Sequence, residues 1–233
     1  LCEERIRRAP QSAFLRNLLG EVEVSQKNYK KAEEAFRKAI ELQPDWQAPH
    51  INLARVYIVQ GQTGGAIRFL EDTLQKDPDN VGAYLSLAQV YIQSKEKSKA
   101  IGVYEKLLTR KPDFWIAAND AAFLLSENPS GKKDLERALS LAKKAQEARP
   151  EDPEVLDTLG WIHFKMNDPS TAFGILGRAV AYAPENGQIN YHMGMASFMS
   201  GKKKEAKEYF KKAAESKEAF DGKEEARKMM AQL

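Results

Sequence analysis

The sequence predicts an all-α protein assembled from stacked two-helix units, and three observations carry that prediction. Proline recurs at Pro10, Pro44, Pro78, Pro112, Pro150 and Pro184, at intervals of 34, 34, 34, 38 and 34 residues. A fixed period of that size marks a repeat array rather than a single globular core. Within each period, apolar residues return at spacings of three, four and seven, which is the pattern of amphipathic helices, two per unit. No run of alternating β-branched residues occurs, so strands are not expected.

Counting from three residues past each proline gives six units across 13–218, starting at Ala13, Gln47, Val81, Trp115, Pro153 and Gly187. The eighth residue of each is small: Gly20, Ala54, Ala88, Ala122, Gly160 and Gly194. The seventh is apolar: Leu19, Leu53, Leu87, Ala121, Leu159 and Met193. In the second half of the units, Ala32, Ala66, Ala100, Ala138, Ala172 and Ala206 share one position, and Phe36, Leu70, Tyr104, Leu176 and Phe210 follow four later. Small residues recur where two helix backbones cross closely, since a larger side chain there forces the helices apart. Gly61 with Gly64 and Gly65, Asn167-Asp168-Pro169, and Gly201 mark the break between the two helices of a unit. The proline ends the second helix, and Asp45, Asp79, Asp113, Glu151 and Glu185 after it suit the positive end of the next.

These registered copies resemble the tetratricopeptide repeat family, and the resemblance covers essentially the whole chain. It implies a right-handed superhelical solenoid of stacked antiparallel helix hairpins, each first helix lining a concave groove. The family is a binding scaffold used in many pathways, so the resemblance speaks to architecture more than to biology. A narrower likeness rests on Asn119-Asp120-Ala121-Ala122-Phe123-Leu124-Leu125, on Asp152-Pro153-Glu154-Val155-Leu156-Asp157-Thr158-Leu159-Gly160-Trp161, and on the segment after Phe220-Asp221-Gly222. Those strings resemble the C-terminal repeats of bacterial lipoproteins associated with exopolysaccharide and exosortase systems. This likeness favours a periplasmic or envelope-associated setting over a cytoplasmic one.

Residues 1–12 read as the tail of a preceding repeat whose first helix is missing, as in a chain cut from a longer array. At the other end, Ala226, Met229, Met230 and Leu233 recur at helical spacing among charges, so 219–233 reads as a capping helix close to the natural C-terminus. The fourth unit carries four extra residues within Ser126–Lys133, read as a longer exposed turn or as a contact at the groove rim. An uncovered N-terminal flank near Leu1, Ile6, Phe14 and Leu18 predicts end-to-end self-association.

With 42% hydrophobic and 30% charged residues the chain can bury a substantial core, and no apolar stretch reaches bilayer-spanning length, so no direct membrane insertion is expected. Lone Cys2 excludes an internal disulfide. Lys202-Lys203-Lys204 and Lys211-Lys212 alternate with Glu205, Glu208, Glu215 and Glu218, which is a solvated helix face, so no nucleic acid is expected. His50, His163 and His192 lie at different offsets without metal-site spacing, and Gly61-Gln62-Thr63-Gly64-Gly65 lacks the Lys-Ser/Thr of a phosphate loop. No catalytic residue, metal or cofactor is expected, and the chain reads as a non-enzymatic scaffold for a protein or peptide partner.

The fifth, ninth, twelfth and thirteenth residues of each first helix are expected to look into the groove. In the last three units they gather aromatic and sulfur side chains: Phe123, Trp161, Phe164, Tyr191, Met195, Phe198 and Met199, with Asp157 and Lys165 among them. Such a patch suits an extended or helical peptide. The same residues could instead pack on one another or lie beneath the capping helix. The groove lacks the ordered Lys and Asn set by which some family members hold a terminal carboxylate, which argues against chaperone-tail binding. Two functions follow: an interaction scaffold in a bacterial envelope or exopolysaccharide-export assembly, or the regulatory or substrate-recruiting arm of an enzyme whose catalytic domain lies upstream.

Overall fold

A computed structural model describes residues 5–7, 9–127 and 129–233, and among them there are helices and turns but no strands. Six helices begin at the unit starts: α1 (Ala13–Ser25), α3 (Gln47–Val59), α5 (Val81–Gln93), α7 (Trp115–Glu127), α9 (Pro153–Lys165) and α11 (Gly187–Met199). Each is followed by a partner: α2 (Tyr29–Leu42), α4 (Thr63–Lys76), α6 (Lys97–Arg110), α8 (Lys132–Ala148), α10 (Pro169–Tyr182) and α12 (Lys203–Glu215). A last helix, α13, spans Lys223–Gln232. The chain resolves into two compact units, Leu1–Pro112 and Asp113–Leu233. Within each, a first helix packs on its own second helix, and each second helix packs on the first helix that follows.

The turns follow from local chemistry. The residue two positions after the helix-ending proline caps the next helix: Ser12, Asn80, Asp152 and Asn186 each accept a backbone N–H of the first turn through the side chain. Capping thus falls one residue beyond the acidic positions singled out in the sequence. Between paired helices, Lys27, Gly61, Lys95, Asn167 and Gly201 all adopt positive φ, between 60° and 74°. Glycine and asparagine suit that left-handed position, and the lysines hold it at some strain. Gly64 and Gly65, read from sequence as part of the break, lie inside α4. The fourth unit's extra residues only partly form a turn, because α8 runs for 17 residues where α10 has 14.

Close crossing explains the small residues. A Cβ built on Gly20, Gly160 or Gly194 would lie 2.4, 2.6 or 2.7 Å from the nearest side-chain atom of Phe36, Leu176 or Phe210, respectively. The recurring alanines Ala32, Ala66, Ala100, Ala138, Ala172 and Ala206 are all fully buried. At the C-terminal end α13 lays Ala226 onto Ala206, Phe210 and Ala213, with Met229, Met230 and Leu233 half-buried beside them. At the N-terminal end Leu1 and Cys2 lie outside the described residues. There Ile6 is buried, Leu18 is half-buried, and Phe14 is 62% exposed with its ring stacked 6.4 Å from Trp46. No described helix is long and apolar enough to cross a membrane.

Candidate binding clefts of the C-terminal unit

Helices α7, α9 and α11 lie side by side, α9 touching both of the others. Their facing residues build a polar and aromatic network across three repeats. Trp161 stands at its centre, only 4% exposed. One neighbour, Phe164, stacks on it nearly parallel at 4.7 Å, and His192 of α11 stacks at 4.0 Å. Its Nε1–H donates to Glu127 Oε1 of α7 at 2.9 Å. His192 Nδ1 sits 2.9 Å from both carboxylate oxygens of Asp157, and both residues are buried. A buried carboxylate needs such a partner, because desolvation without one costs several kcal/mol.

Two positions depart from the groove reading. Trp161 was expected to look into the groove with Asp157 beside it, packing among the rings being the alternative; both are buried. The physical reason is that neighbouring first helices lie close enough for ring to stack on ring, which removes Trp161 from solvent and commits Asp157 to His192. The other expected residues separate into three groups. Phe123, Lys165 and Tyr191 stay partly accessible around a cleft, with Lys165 Nζ 4.7 Å from the Trp161 ring. Phe164 packs against the Ala172, Leu176 and Met193 cluster, and Met195 packs on the cluster of α12 and α13, beneath the capping helix. Phe198 and Met199 are exposed at the end of α11.

Two clefts adjoin on this face and share Phe123 and Gln188. The aromatic cleft, about 330 Å³, is walled by Phe123, Tyr191 and Phe220, with Trp161 at its base and the Ala219–Gly222 segment along one side. Glu127, Lys165 and Asp221 are its charged members. The polar cleft, about 220 Å³, is lined by Asn119, Asp120, Glu154, Asp157, Thr158 and Asn186 among others. Tyr191 has its phenol pKa raised by burial and then by the Glu225 and Glu127 carboxylates, so it stays a neutral hydroxyl at physiological pH. These side chains can offer ring faces, carboxylates and amides to a ligand. Among the described residues no group of three or more His, Cys, Asp or Glu is placed to hold a metal ion.

Sequence reasoning passed over His192, Glu127, Gln188 and Phe220. Glu127 was within reach of it, being the thirteenth residue of its unit like Lys165 and Met199. His192 lies 35 residues from Asp157, one period plus one, which places the two on adjacent first helices. His163, half-buried, has Nδ1 3.2 Å from an Asp168 carboxylate oxygen. His50 is fully buried with Nε2 at 2.8 Å from the Pro44 carbonyl.

Comparison with known proteins places the repeat pattern. Residues 4–113 match the model for the cytochrome c-type biogenesis protein H TPR domain, and residues 187–220 match a tetratricopeptide repeat model. No curated protein matches the chain in sequence. Among solved structures, a tetratricopeptide repeat protein from Parabacteroides merdae ATCC 43184 is similar over 99% of this chain and 86% of its own, at 19% identity and a TM-score of 0.70. PilW, a widely conserved type IV pilus biogenesis factor, is similar over 79% of this chain and 86% of its own, at 21% identity and a TM-score of 0.63. YrrB, a TPR protein with an unusual peptide-binding site, is similar over 81% of this chain and 95% of its own, at 16% identity and a TM-score of 0.53.

Proposed function

The chain belongs to the tetratricopeptide repeat family, and from that premise we propose that it is a non-catalytic scaffold holding a segment of a protein partner in the adjoining clefts of α7, α9 and α11. The fold itself speaks for protein–protein interaction. The observation that carries the more specific reading is the continuity of the two clefts through Phe123 and Gln188. That continuity offers one extended peptide an apolar station and a polar one, which is how grooves combine affinity with register. The organisation we adopt is six repeats over 13–218 followed by a capping segment at 219–233. We place the scaffold in a bacterial envelope or exopolysaccharide-export assembly. The likeness of the Asn119–Leu125 and Asp152–Trp161 strings to envelope repeat lipoproteins supports that setting.

The test is selection of a displayed random peptide library on the full chain, followed by binding measurements on Phe123→Ala and Gln188→Arg. Selected peptides should lose at least tenfold in affinity to both variants, while circular dichroism and melting temperature stay close to those of the parent. Peptides that bind both variants as well as the parent would remove the clefts as the site.

A further inference from the structure

The aromatic cleft already holds one cation, and its composition suits another. Lys165 Nζ lies 4.7 Å from the centroid of the Trp161 ring, so this chain seats its own ammonium on the aromatic base. An ammonium or guanidinium on a ring face is drawn by the ring's negative quadrupole, most strongly where water is excluded. Phe123, Tyr191 and Phe220 add three further rings around the same space. Glu127 has one oxygen on the Trp161 indole and makes no ion pair among the described residues; Asp221 likewise makes none. The cleft therefore carries two carboxylates against Lys165 within a chain of net charge +3.

The adjoining polar cleft points the same way. None of its lining residues is a lysine or arginine, and it includes Glu154. Asn119 lines it while only 7% exposed, and its Oδ1 has no hydrogen-bond partner. A buried amide oxygen left unpaired is costly, and an N–H donor from a ligand would recover that cost. The N-termini of α9 and α11 also face this cleft and would by themselves favour an anion. Of their first-turn N–H groups, however, those of Glu154 and Val155 are taken by Asp152, and that of Ile189 by Asn186. The partial charge of such an end is about half an elementary unit, less than one carboxylate.

We infer that the partner segment presents a cationic side chain, guanidinium or ammonium, to the aromatic cleft between Phe123, Tyr191, Phe220, Glu127 and Asp221, and a polar N–H donor to Asn119. The inference rests on the reading of these clefts as the partner site and adds the chemistry of what they take.

The experiment uses the same displayed random library, panned on the full chain. Selected peptides that depend on Phe123 should be enriched in Arg or Lys. For one such peptide, Glu127→Gln with Asp221→Asn should lower affinity at least fivefold. The glutamine keeps an oxygen acceptor for the Trp161 indole, so the fold is spared. Replacing the peptide arginine by citrulline, or lysine by norleucine, should cause a similar loss, and the two losses should not add, since both remove one interaction. Peptides that need Phe123 yet carry no excess of Arg or Lys, or are indifferent to the carboxylate changes, overturn the cationic inference and leave the cleft reading standing. A selection yielding no Phe123-dependent peptide overturns both.

Discussion

Gly160 is where the packing argument is most exposed to refutation. A Cβ there would lie 2.6 Å from Leu176 Cγ, 2.9 Å from its Cδ2 and 3.3 Å from its backbone nitrogen. Leu176 is fully buried and packed with Ala172, Met193 and Ala196, so it has no solvent to swing into. Two effects oppose each other. Removing a mid-helix glycine favours the helix by about 1 kcal/mol, whereas forcing carbon into a filled core costs about 1–3 kcal/mol. For Gly160→Ala these nearly offset, leaving a loss of about 0–2 kcal/mol. Gly160→Leu adds three more carbons in the same space with no further helix gain, so its loss should reach about 2 kcal/mol or more. For a chain of this length that is a melting shift of about 4–8 °C. Gly174, in α10 with nothing within 4 Å of its would-be Cβ, is the control. There alanine should stabilise by about 0.5–1 kcal/mol through helix propensity alone. Urea and thermal denaturation followed by circular dichroism read both signs. A Gly160→Leu variant melting like the parent would mean that α9 and α10 do not cross at that residue.

Ala172→Asp should destabilise by about 2 kcal/mol or more in the same melts, because the site is fully buried against Leu176, Met193 and Ala196; an unchanged urea midpoint would contradict that placement. Burial holds the His50 pKa below its usual 6.5, with the hydrogen bond to the Pro44 carbonyl opposing it. The unfolded chain therefore takes the proton first, and this contribution to stability is complete above about pH 6.5 and is lost as pH falls below it. Between pH 7.5 and 5.5 the parent should lose more unfolding free energy than His50→Gln does, and equal losses would show that His50 does not matter. Trp161→Ala should cost about 3–5 kcal/mol, as truncation of a buried aromatic does; a variant that melts near the parent yet fails to bind selected peptides would restore Trp161 as an accessible anchor.

Helix starts could be read because proline and the small crossing residues act through short-range sterics, which any unit of the array must satisfy alone. Gly160 against Leu176 and Gly194 against Phe210 are such contacts, each inside one hairpin. Accessibility could not be read in the same way. Whether Trp161 faces a ligand or a neighbour depends on how closely α9 and α11 approach, and no offset within a single repeat encodes that distance. The His192 and Asp157 pair fails for a related reason: it joins two repeats at different positions, outside the register that made the rest visible. The extra residues of the fourth unit show the converse. Their composition suggested a turn, but Lys132, Lys133 and Asp134 form an added polar first turn of α8, where the Asp134 carboxylate suits the helix start and accepts from the Ser130 backbone N–H.

The clefts and the stack share side chains, and that sharing decides how recognition can be probed. Trp161 holds Glu127, Phe164 and His192 in place, and Tyr191 packs over Gly222, where a Cβ would lie 2.3 Å from its ring. Truncating either one perturbs folding and binding together, so a lost signal would not reveal which had failed. Glu127, Gln188 and Asp221 differ, because conservative changes at these residues alter charge or shape at the cleft while leaving the ring stack whole. A partner seated among them would also tie the Ala219–Gly222 segment to α7 and α9 through the walls of one cleft. Ligand binding to the folded state alone raises stability by mass action, by about 2.7 kcal/mol at a hundredfold excess over the dissociation constant. A peptide held there should therefore protect the backbone amides of α13 from hydrogen exchange as well as those lining the cleft, because α13 begins directly after Gly222.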